Sequence, residues 1–510
     1  LTEEPASLRR SLREHLLAGQ ATLRFGKEQI LEWYLNVARY GKLVFGADAA
    51  ARVYFGKPAS QLTLAEAATL TAIQRMPEVS FSQAPQLILE QKDHILQAML
   101  DKAWITAGQQ QQAIRQSPVF ISPAAEAELA PAFVELVLQQ LDTHTPRARL
   151  EQGGFRIITT LDMDLQTQVN CAGSALMEQY SQQTRPGEAT SSVDAACPAA
   201  RLLPTLSQAS SAPASALESA VIVLDPQTGQ VLSLAGSASL PSPASGPEHP
   251  AGTLALPFLY LNAFSRGFSP GTLAWDIPSN GADASLSLAA YQGPVRLRTA
   301  LVNDYLAPAS QLINQLGLDT TLTTAHQLGA LTLAGHSSLA GGQPGQSTLQ
   351  RFLSEPASLL GLAQAYATLD HQGLAAGQEI PIPGGSDPAG LQPYTVLRLE
   401  DHQRQVLLDW TRPVERTISS PQLAHLLNHS LSDEVSRWNS LGHPNAFEIG
   451  RPAAAKAGRT LDQQDAWAMG YTPQRLVGVW VGNADPVSTT TVPDNAAAAL
   501  WHAVIQYALR

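Results

Sequence analysis

The 510-residue sequence has no apolar run of 18 or more residues, so no segment of it is expected to span a bilayer as a helix. Charged residues are also scarce, at 15%, whereas 44% of the residues are hydrophobic. Only two cysteines occur, and no Cys/His cluster has the spacing of a metal site. What remains is the composition of a folded chain, long enough for two or three domains with their own cores.

Charge is unevenly distributed along the chain. Residues 1–57 carry nine Lys or Arg against six Asp or Glu, whereas the whole chain has a net charge of −11. An acidic body with a basic N-terminal segment disfavours general nucleic-acid binding, and it permits a local site for an anionic group such as a pyrophosphate. A solvated helix face accounts for the same basic residues equally well.

The two cysteines, Cys171 and Cys197, flank a stretch rich in Ser, Ala and Pro. A disulfide between them would clamp a loop in an oxidising compartment. Two unpaired thiols are an equal alternative on the sequence alone. Residues 182–218, which include this stretch, are expected to form a poorly structured insertion.

Residues 1–77 are predicted to be almost wholly helical. Apolar residues recur at helical spacing over 8–23 and over KEQILEWYLN, and Thr63 followed by Glu66 has capping-box spacing ahead of a third helix. Further helices are predicted over 86–106 and 131–141.

The pattern changes at Ser219. SAVIVLDPQTGQVLSLAGS predicts two strands joined by a turn at 225–229, and DAWAMGYTPQRLVGVWVGN predicts another pair around 472–473. A mostly helical middle separates them, and a last helix is predicted over 494–509. This order indicates an all-α domain, a connector, and an α+β domain with a mainly antiparallel sheet.

A family resemblance is carried by KEQILEWYLNVARYGKLVFGADAAARVYFGKPASQLTLAEAATLTAI, residues 27–73. This stretch resembles the later motifs of the peptidoglycan glycosyltransferases, the lysozyme-like domains that polymerise lipid II in class A penicillin-binding proteins. In that reaction a sugar hydroxyl displaces a lipid pyrophosphate from an anomeric carbon. A carboxylate must take the hydroxyl proton, and cations must stabilise the departing pyrophosphate.

The family's third motif, Arg-Lys with a Glu one helical turn later, aligns with Arg10, Ser11 and Glu14. The serine stands where the family has lysine, and the motif with the general-base glutamate would lie ahead of the first residue. The resemblance implies Glu14 as the second carboxylate, with Arg10, Lys27 and Asn36 in substrate binding. An ordinary exposed helix surface is the alternative. Residues 1–510 by themselves are not expected to polymerise glycan.

The remainder of the chain resembles a penicillin-binding transpeptidase domain with its connector. The resemblance is carried by GGFRIITTLDMDLQ, SAVIVLDPQTGQVL, GPVRLRTAL and LGHPNAFEIGRPAAAKAGRT. Such domains share the β-lactamase-like fold. Acyl transfer in them needs a serine nucleophile with a lysine one helical turn later, a Ser and an Asn in a second motif, and a strand bearing Lys-Thr-Gly.

The first of these motifs is degraded. AGTLALPFLY aligns with it and places Thr253 at the nucleophile position and Leu256 at the lysine position. A leucine cannot accept a proton. No shift of the alignment restores the motif, because the chain has no lysine between Lys102 and Lys456.

The other two motifs are degraded as well. VNDYLAP places Asp304 and Leu306 at the Ser and Asn positions of the second motif, and the third motif retains only Lys456 and Gly458. The lysine could hold a substrate carboxylate, and a plain surface lysine is an equal alternative. Asp465, Trp467 and Trp480 are interpreted as sheet and packing residues.

The resemblance divides the chain into four parts. These are the C-terminal part of a glycosyltransferase domain, a helical connector, the start of the transpeptidase region with its insertion, and a transpeptidase-like domain, over residues 1–80, 81–165, 166–218 and 219–510.

The resemblance also implies a setting and two functions. The setting is the extracytoplasmic face of a bacterial membrane, to which a segment ahead of Leu1 would attach the protein. The expected ligands are lipid II, glycan strands and stem peptides, and the expected partners are cell-wall synthases. Nucleic acid is not an expected partner. No cofactor is implied, although a divalent metal is allowed at the glycosyltransferase site of the whole protein. Either the whole protein polymerises lipid II beside an inactive transpeptidase half, or it is a non-catalytic pseudoenzyme that binds peptidoglycan or a synthase. An unrelated hydrolase has no motif in its support.

Overall fold

The computed structural model describes most of the chain, and its residues fall into two compact units. The N-terminal unit comprises Leu1–Glu128 and Thr145–Phe155, and the C-terminal unit comprises Leu129–His144 and Arg156–Arg510. The four-part division made from the sequence stays a prediction. The described residues are 8–41, 44–76, 84–116, 118, 120, 130–142, 144–151, 153–183, 197–204, 217–236, 249–278, 290–331, 346–380, 391–483, 491–493 and 495–510.

The described part of the N-terminal unit is helical, as the sequence predicts. The capping box is confirmed: the Glu66 amide donates to the Thr63 hydroxyl, and the Thr63 amide donates to the Glu66 carboxylate. The helices are α1 (Leu8–Arg24), α2 (Lys27–Val37), α3 (Ala47–Phe55), α4 (Leu64–Arg75), α5 (Pro85–Asp101), α6 (Ala107–Arg115) and α8 (Arg147–Glu151). Helix α7 (Pro131–Asp142), which precedes α8 in the chain, belongs to the C-terminal unit.

The prediction of a single helix over 86–106 is wrong at its C-terminal end. The chain leaves the helix after Asp101, and Ala103 adopts a left-handed conformation with φ of 55°. Thr106 then caps α6 by accepting a hydrogen bond from the Gln109 amide. A side-chain cap satisfies the otherwise unpaired amides at the start of α6, a helix that lies beyond the predicted range and was not predicted.

Helix α2 does not bury the apolar face that its periodicity predicts. A small core gathers Phe55, Leu70 and Ile73 from α3 and α4. None of the residues of α2 is buried, and Leu31 and Tyr34 are more than half exposed, at 55% and 54%. Hydrophobic periodicity shows that a face is apolar, but it does not show that another element covers it.

The C-terminal unit mixes helices and strands, which confirms the predicted α+β class. Its helices are α7 (Pro131–Asp142), α9 (Met163–Gln183), α10 (Leu256–Ser265), α11 (Leu297–Val302), α12 (Leu306–Leu316), α13 (Leu318–Gln327), α14 (Thr348–Leu353), α15 (Leu359–Asp370), α16 (Pro421–Leu431), α17 (Glu434–Leu441) and α18 (Ala496–Ala508). Its strands are β1 (Arg156–Thr159), β2 (Leu217–Leu224), β3 (Val231–Gly236), β4 (His249–Pro250), β5 (Leu273–Asp276), β6 (Gly293–Arg296), β7 (Pro356–Ala357), β8 (Leu374–Glu379), β9 (Leu391–Gln392), β10 (Val396–Glu400), β11 (Val406–Asp409), β12 (Val414–Thr417), β13 (Ala454–Arg459), β14 (Asp465–Thr472) and β15 (Arg475–Asn483).

The main sheet has five antiparallel strands in the order β13-β14-β15-β2-β3. Alternate side chains of a strand point to opposite faces, and helices cover both faces here. Helices α9 and α18 pack on one face through Val169, Leu176 and Trp501. Helix α15 covers the other face, where Tyr366 makes an edge contact with Tyr471 of β14.

The structure records a disulfide between Cys171 on α9 and Cys197. Of the Ser/Ala/Pro-rich stretch, 184–196 and 205–216 lie outside the described residues, so the predicted insertion is not addressed there. Residues 197–204 are described and include the 3-10 turn Ala200–Leu202.

Candidate active site

The residues aligned with the first motif lie on a 3-10 turn, Gly252–Ala255, that leads directly into α10. Gly252 has a φ of 55°, and a Cβ atom at this position would lie 2.2 Å from the carbonyl oxygen of Arg459. Only glycine combines that backbone conformation with so close an approach. The turn therefore places Thr253 directly against the end of β13.

Strand β13 carries the residues aligned with the third motif to the same place. Lys456 is its third residue, and Gly458 faces the turn so closely that a Cβ atom would lie 2.6 Å from the Cβ of Leu254. The retained glycine thus serves the contact between the strand and the turn.

Asp304, which is aligned with the second motif, lies between α11 and α12 and contacts the residues aligned with the other two motifs. The Thr253 hydroxyl donates to Asp304 Oδ2 at 2.9 Å, and the Lys456 ammonium donates to Asp304 Oδ1 at 2.5 Å. The Arg459 amide donates to the Thr253 hydroxyl oxygen at 3.1 Å. We call Thr253, Asp304 and Lys456 the polar triad.

The polar triad is closed to solvent. Thr253 is 0% exposed, and the side chains of Lys456 and Asp304 are 1% and 13% exposed. Burial lowers the pKa of Lys456, and the neighbouring Asp304 carboxylate opposes that shift. The alternative that Lys456 is a plain surface lysine is wrong, because its side chain is fully buried and ion-paired.

The two apolar replacements also lie in the interior. Leu256 begins α10 and is 0% exposed, and Leu306 begins α12 and is 3% exposed. Neither side chain can accept or donate a proton. Of the five positions that acyl transfer would use for nucleophile, base and proton relay, Thr253, Asp304 and Lys456 form one hydrogen-bonded cluster, while Leu256 and Leu306 contribute apolar packing.

Two residues that the sequence analysis did not single out hold the site in place. The Asn303 side-chain amide donates to the Ser436 carbonyl at 2.7 Å, and its oxygen accepts from the Ser440 amide at 3.0 Å. The Tyr366 hydroxyl donates to the Leu254 carbonyl at 2.8 Å. Each contact spans more than 100 residues of sequence, so no local pattern could have signalled it.

Asp465, Trp467 and Trp480 lie in the sheet, each less than 9% exposed. Asp465 Oδ1 accepts from the Trp480 indole at 2.9 Å and lies 2.9 Å from His249 Nδ1. The Trp467 indole donates to the Pro250 carbonyl. These contacts tie β4 to the main sheet, in keeping with the interpretation of the three residues as packing residues.

In the N-terminal unit, the candidate residues Glu14, Lys27 and Asn36 are exposed on α1 and α2. Arg10 and Ser11 fall within α1, at positions whose side chains lie outside the described residues. The roles assigned to these residues stay predictions.

The described residues contain no group of three or more His, Cys, Asp or Glu side chains arranged to hold a metal ion. Within the same residues, no helix combines the length and apolar character needed to cross a bilayer.

Comparison with known proteins agrees with the fold. A transglycosylase family model matches residues 1–100. Penicillin-binding protein 2D of Bacillus subtilis is 24% identical over 95% of this chain, penicillin-binding protein 1A of Aquifex aeolicus 23% over 94%, and penicillin-binding protein 1B of Vibrio cholerae 24% over 98%. The chain spans 65%, 70% and 60% of the length of these three relatives.

Two solved structures share the fold. The crystal structure of penicillin-binding protein 1A from Haemophilus influenzae superposes with a TM-score of 0.63 at 17% identity, and covers 95% of this chain and 86% of its own. Penicillin-binding protein PonA1 from Mycobacterium tuberculosis has a TM-score of 0.55 at 19% identity, and covers 74% and 90%. The segment matched by the transglycosylase model is helical in its described residues and is followed by an α+β unit of antiparallel sheet, and the chain is homologous to class A penicillin-binding proteins.

Proposed function

We propose that this protein acts in peptidoglycan synthesis and that its C-terminal unit does not carry out acyl transfer. The observation that carries the proposal is the polar triad. The hydroxyl at the nucleophile position belongs to Thr253, which is fully buried and already donates a hydrogen bond to Asp304. The position of the base is occupied by Leu256.

The carboxylate beside the hydroxyl does not replace the missing lysine as a base. Asp304 is ion-paired with the Lys456 ammonium at 2.5 Å. A carboxylate is a far weaker base than an uncharged lysine amine, so it is a poor acceptor for the proton of a threonine hydroxyl. Loss of a nucleophile-and-base pair lowers turnover by a factor on the order of 10⁶.

The proposal assigns glycan polymerisation to the transglycosylase segment of the whole protein. Lipid II and glycan strands would be its substrates at the extracytoplasmic face of the membrane, with Glu14 as the second carboxylate and Arg10, Lys27 and Asn36 in binding. Ser11, which stands where the related motif has lysine, favours a second function. In that case the protein is a non-catalytic member that binds peptidoglycan or a synthase partner.

A labelled penicillin tests the loss of acyl transfer. We expect no covalent adduct on this protein by fluorescence after denaturing electrophoresis or by intact mass spectrometry, because no activated hydroxyl is accessible. Penicillin-binding protein 1A of Haemophilus influenzae serves as the positive control. A stoichiometric adduct that peptide mapping places on Thr253 would overturn the proposal.

Lipid II tests the assignment of polymerisation. The whole protein is expected to convert labelled lipid II into glycan chains, and Glu14→Gln is expected to slow the reaction by roughly 10²–10⁴. Glycan formation that Glu14→Gln leaves unchanged would remove this residue from the site. No glycan from the whole protein would favour the non-catalytic alternative.

A further inference from the structure

The Asp304 side chain is surrounded by hydrogen-bond donors in the way that a bound carboxylate ligand would be. Each of its two oxygens receives one donor, Oδ1 the Lys456 ammonium and Oδ2 the Thr253 hydroxyl. The donors come from two elements, β13 and the turn before α10, that contact each other without the loop that carries Asp304. At 13% exposure, the carboxylate is also the outermost member of the polar triad.

Both donors are held by contacts that do not involve Asp304. The Arg459 amide donates to the Thr253 hydroxyl oxygen, and the Tyr366 hydroxyl fixes the turn through the Leu254 carbonyl. The Lys456 ammonium also donates to the carbonyl of Ala457. A receptor for a carboxylate is thus assembled by the turn and the strand.

The Lys456 ammonium depends on Asp304 for its charge balance. A buried ammonium requires an anionic partner, and no other carboxylate in the described residues is within 4 Å of Lys456. Asp304 itself has a φ of 56°, in the left-handed region that aspartate occupies more readily than most residues other than glycine.

We propose that Lys456 and Thr253 form a monocarboxylate-binding site which the protein's own Asp304 occupies as an intramolecular ligand. The occupied site excludes free carboxylates, including the C-terminal carboxylate of a peptide. Removal of the Asp304 carboxymethyl group leaves a space of the size of acetate beside the Lys456 ammonium. The proposal concerns reversible binding, so it is independent of whether the protein is acylated.

Asp304→Gly tests this inference in the full chain. The substitution deletes one CH₂–COO⁻ group, the skeleton of acetate, and glycine accepts the left-handed backbone without strain. We expect the Tm of this variant to fall below that of the native protein in sodium chloride. Sodium acetate at equal ionic strength should then raise it saturably, with millimolar half-saturation, because a ligand that binds only the folded state stabilises it.

Four controls separate the site from general salt effects. Acetamide, the neutral analogue of acetate, is expected to leave the Tm of the variant unchanged. The native protein and the exposed Asp409→Gly variant are expected not to respond to acetate. The double variant Asp304→Gly with Lys456→Met, which lacks the cation, is expected to lose the response. An equal acetate response in the double variant would overturn the proposal, and so would a folded Asp304→Gly variant without any acetate-specific response.

If Asp304→Gly is unfolded in sodium chloride, its ability to fold in sodium acetate tests the proposal instead. The proposal then requires that acetate restores its folded circular dichroism spectrum. It also requires that the double variant folds in either salt, because no unpaired ammonium remains. Failure of Asp304→Gly to fold in acetate would contradict the proposal. Labelling of the native protein by penicillin would leave this result unchanged and would bear on the proposed function alone.

Discussion

The candidate residues of the two units differ in their surroundings. In the C-terminal unit, Thr253 and Lys456 are buried and share one carboxylate. In the N-terminal unit, Lys27 and Asn36 are exposed on α2, a helix without a buried residue. A polar group in the interior must be paired, whereas one at the surface is satisfied by water. The candidate positions in the C-terminal unit are therefore part of its folded core, and substitutions in the two units should have very different consequences.

The largest effect is expected from Asp304→Asn. The amide keeps the shape of the side chain but leaves the buried Lys456 ammonium without its anion, which costs about 3–5 kcal/mol of unfolding free energy. Urea denaturation followed by tryptophan fluorescence measures the loss. Asp409→Asn, which weakens the exposed pair with Arg398, is the matched control and is expected to cost about 0–1 kcal/mol. Equal losses in the two variants would contradict a structural role for the buried pair.

Gly252→Ala is expected to be nearly as damaging. The new Cβ atom would lie 2.2 Å from the Arg459 carbonyl oxygen, so the turn and β13 must move apart at a cost of about 1–3 kcal/mol. Gly271→Ala, whose Cβ would meet nothing closer than 3.8 Å, is the control and should change stability by less than about 0.5 kcal/mol. A tolerated Gly252→Ala would show that the turn does not need its close approach to the strand.

The half-buried carboxylate of Asp370 sharpens the comparison, because no lysine of the described residues is paired with it. Burial, with a further contribution from Asp225, raises the pKa of Asp370 to about 7. Since the folded-state pKa lies above the unfolded value, this group's contribution to stability is fully present below about pH 4 and is lost as the pH rises through about 7. Asp370→Asn should therefore stabilise the protein at pH 8, on the order of 2 kcal/mol, and have little effect at pH 4. A gain of equal size at both pH values would show that the effect is not electrostatic.

The smallest effects are expected in the N-terminal unit. Lys27→Ala and Asn36→Ala remove exposed side chains and should each change the free energy of unfolding by less than about 0.5 kcal/mol. Thermal unfolding monitored by circular dichroism at 222 nm measures the change. A loss above about 1 kcal/mol in either variant would show that α2 contributes to the core through a contact of that side chain.

The parts of the fold that could be predicted are those encoded by residues close together in the sequence. The apolar runs of β14 and β15 and the turn between them are encoded within 465–483, and the cap of α4 needs only Thr63 and Glu66. The end of α5 was placed too late because the left-handed Ala103 carries no signature of its own. The exposure of α2 was missed because periodicity identifies an apolar face without its partner.

The candidate site was predictable in its members and not in its connections. Motif alignment identifies Thr253, Asp304 and Lys456, each by its neighbours in the sequence. The hydrogen bonds that join them span 51 and 152 residues, so they depend on the tertiary fold. For the same reason, the burial of Lys456 could not be distinguished from a surface position before the structure was known.

A double-mutant cycle on Asp304→Asn and Lys456→Met tests the central claim most directly, namely that Asp304 and Lys456 stabilise the fold through a buried ion pair. The two single variants should each be strongly destabilised, whereas the double variant should lose no more than either single variant, giving a coupling free energy of about 3 kcal/mol or more. Additive effects, with a coupling below about 0.5 kcal/mol, would contradict the claim.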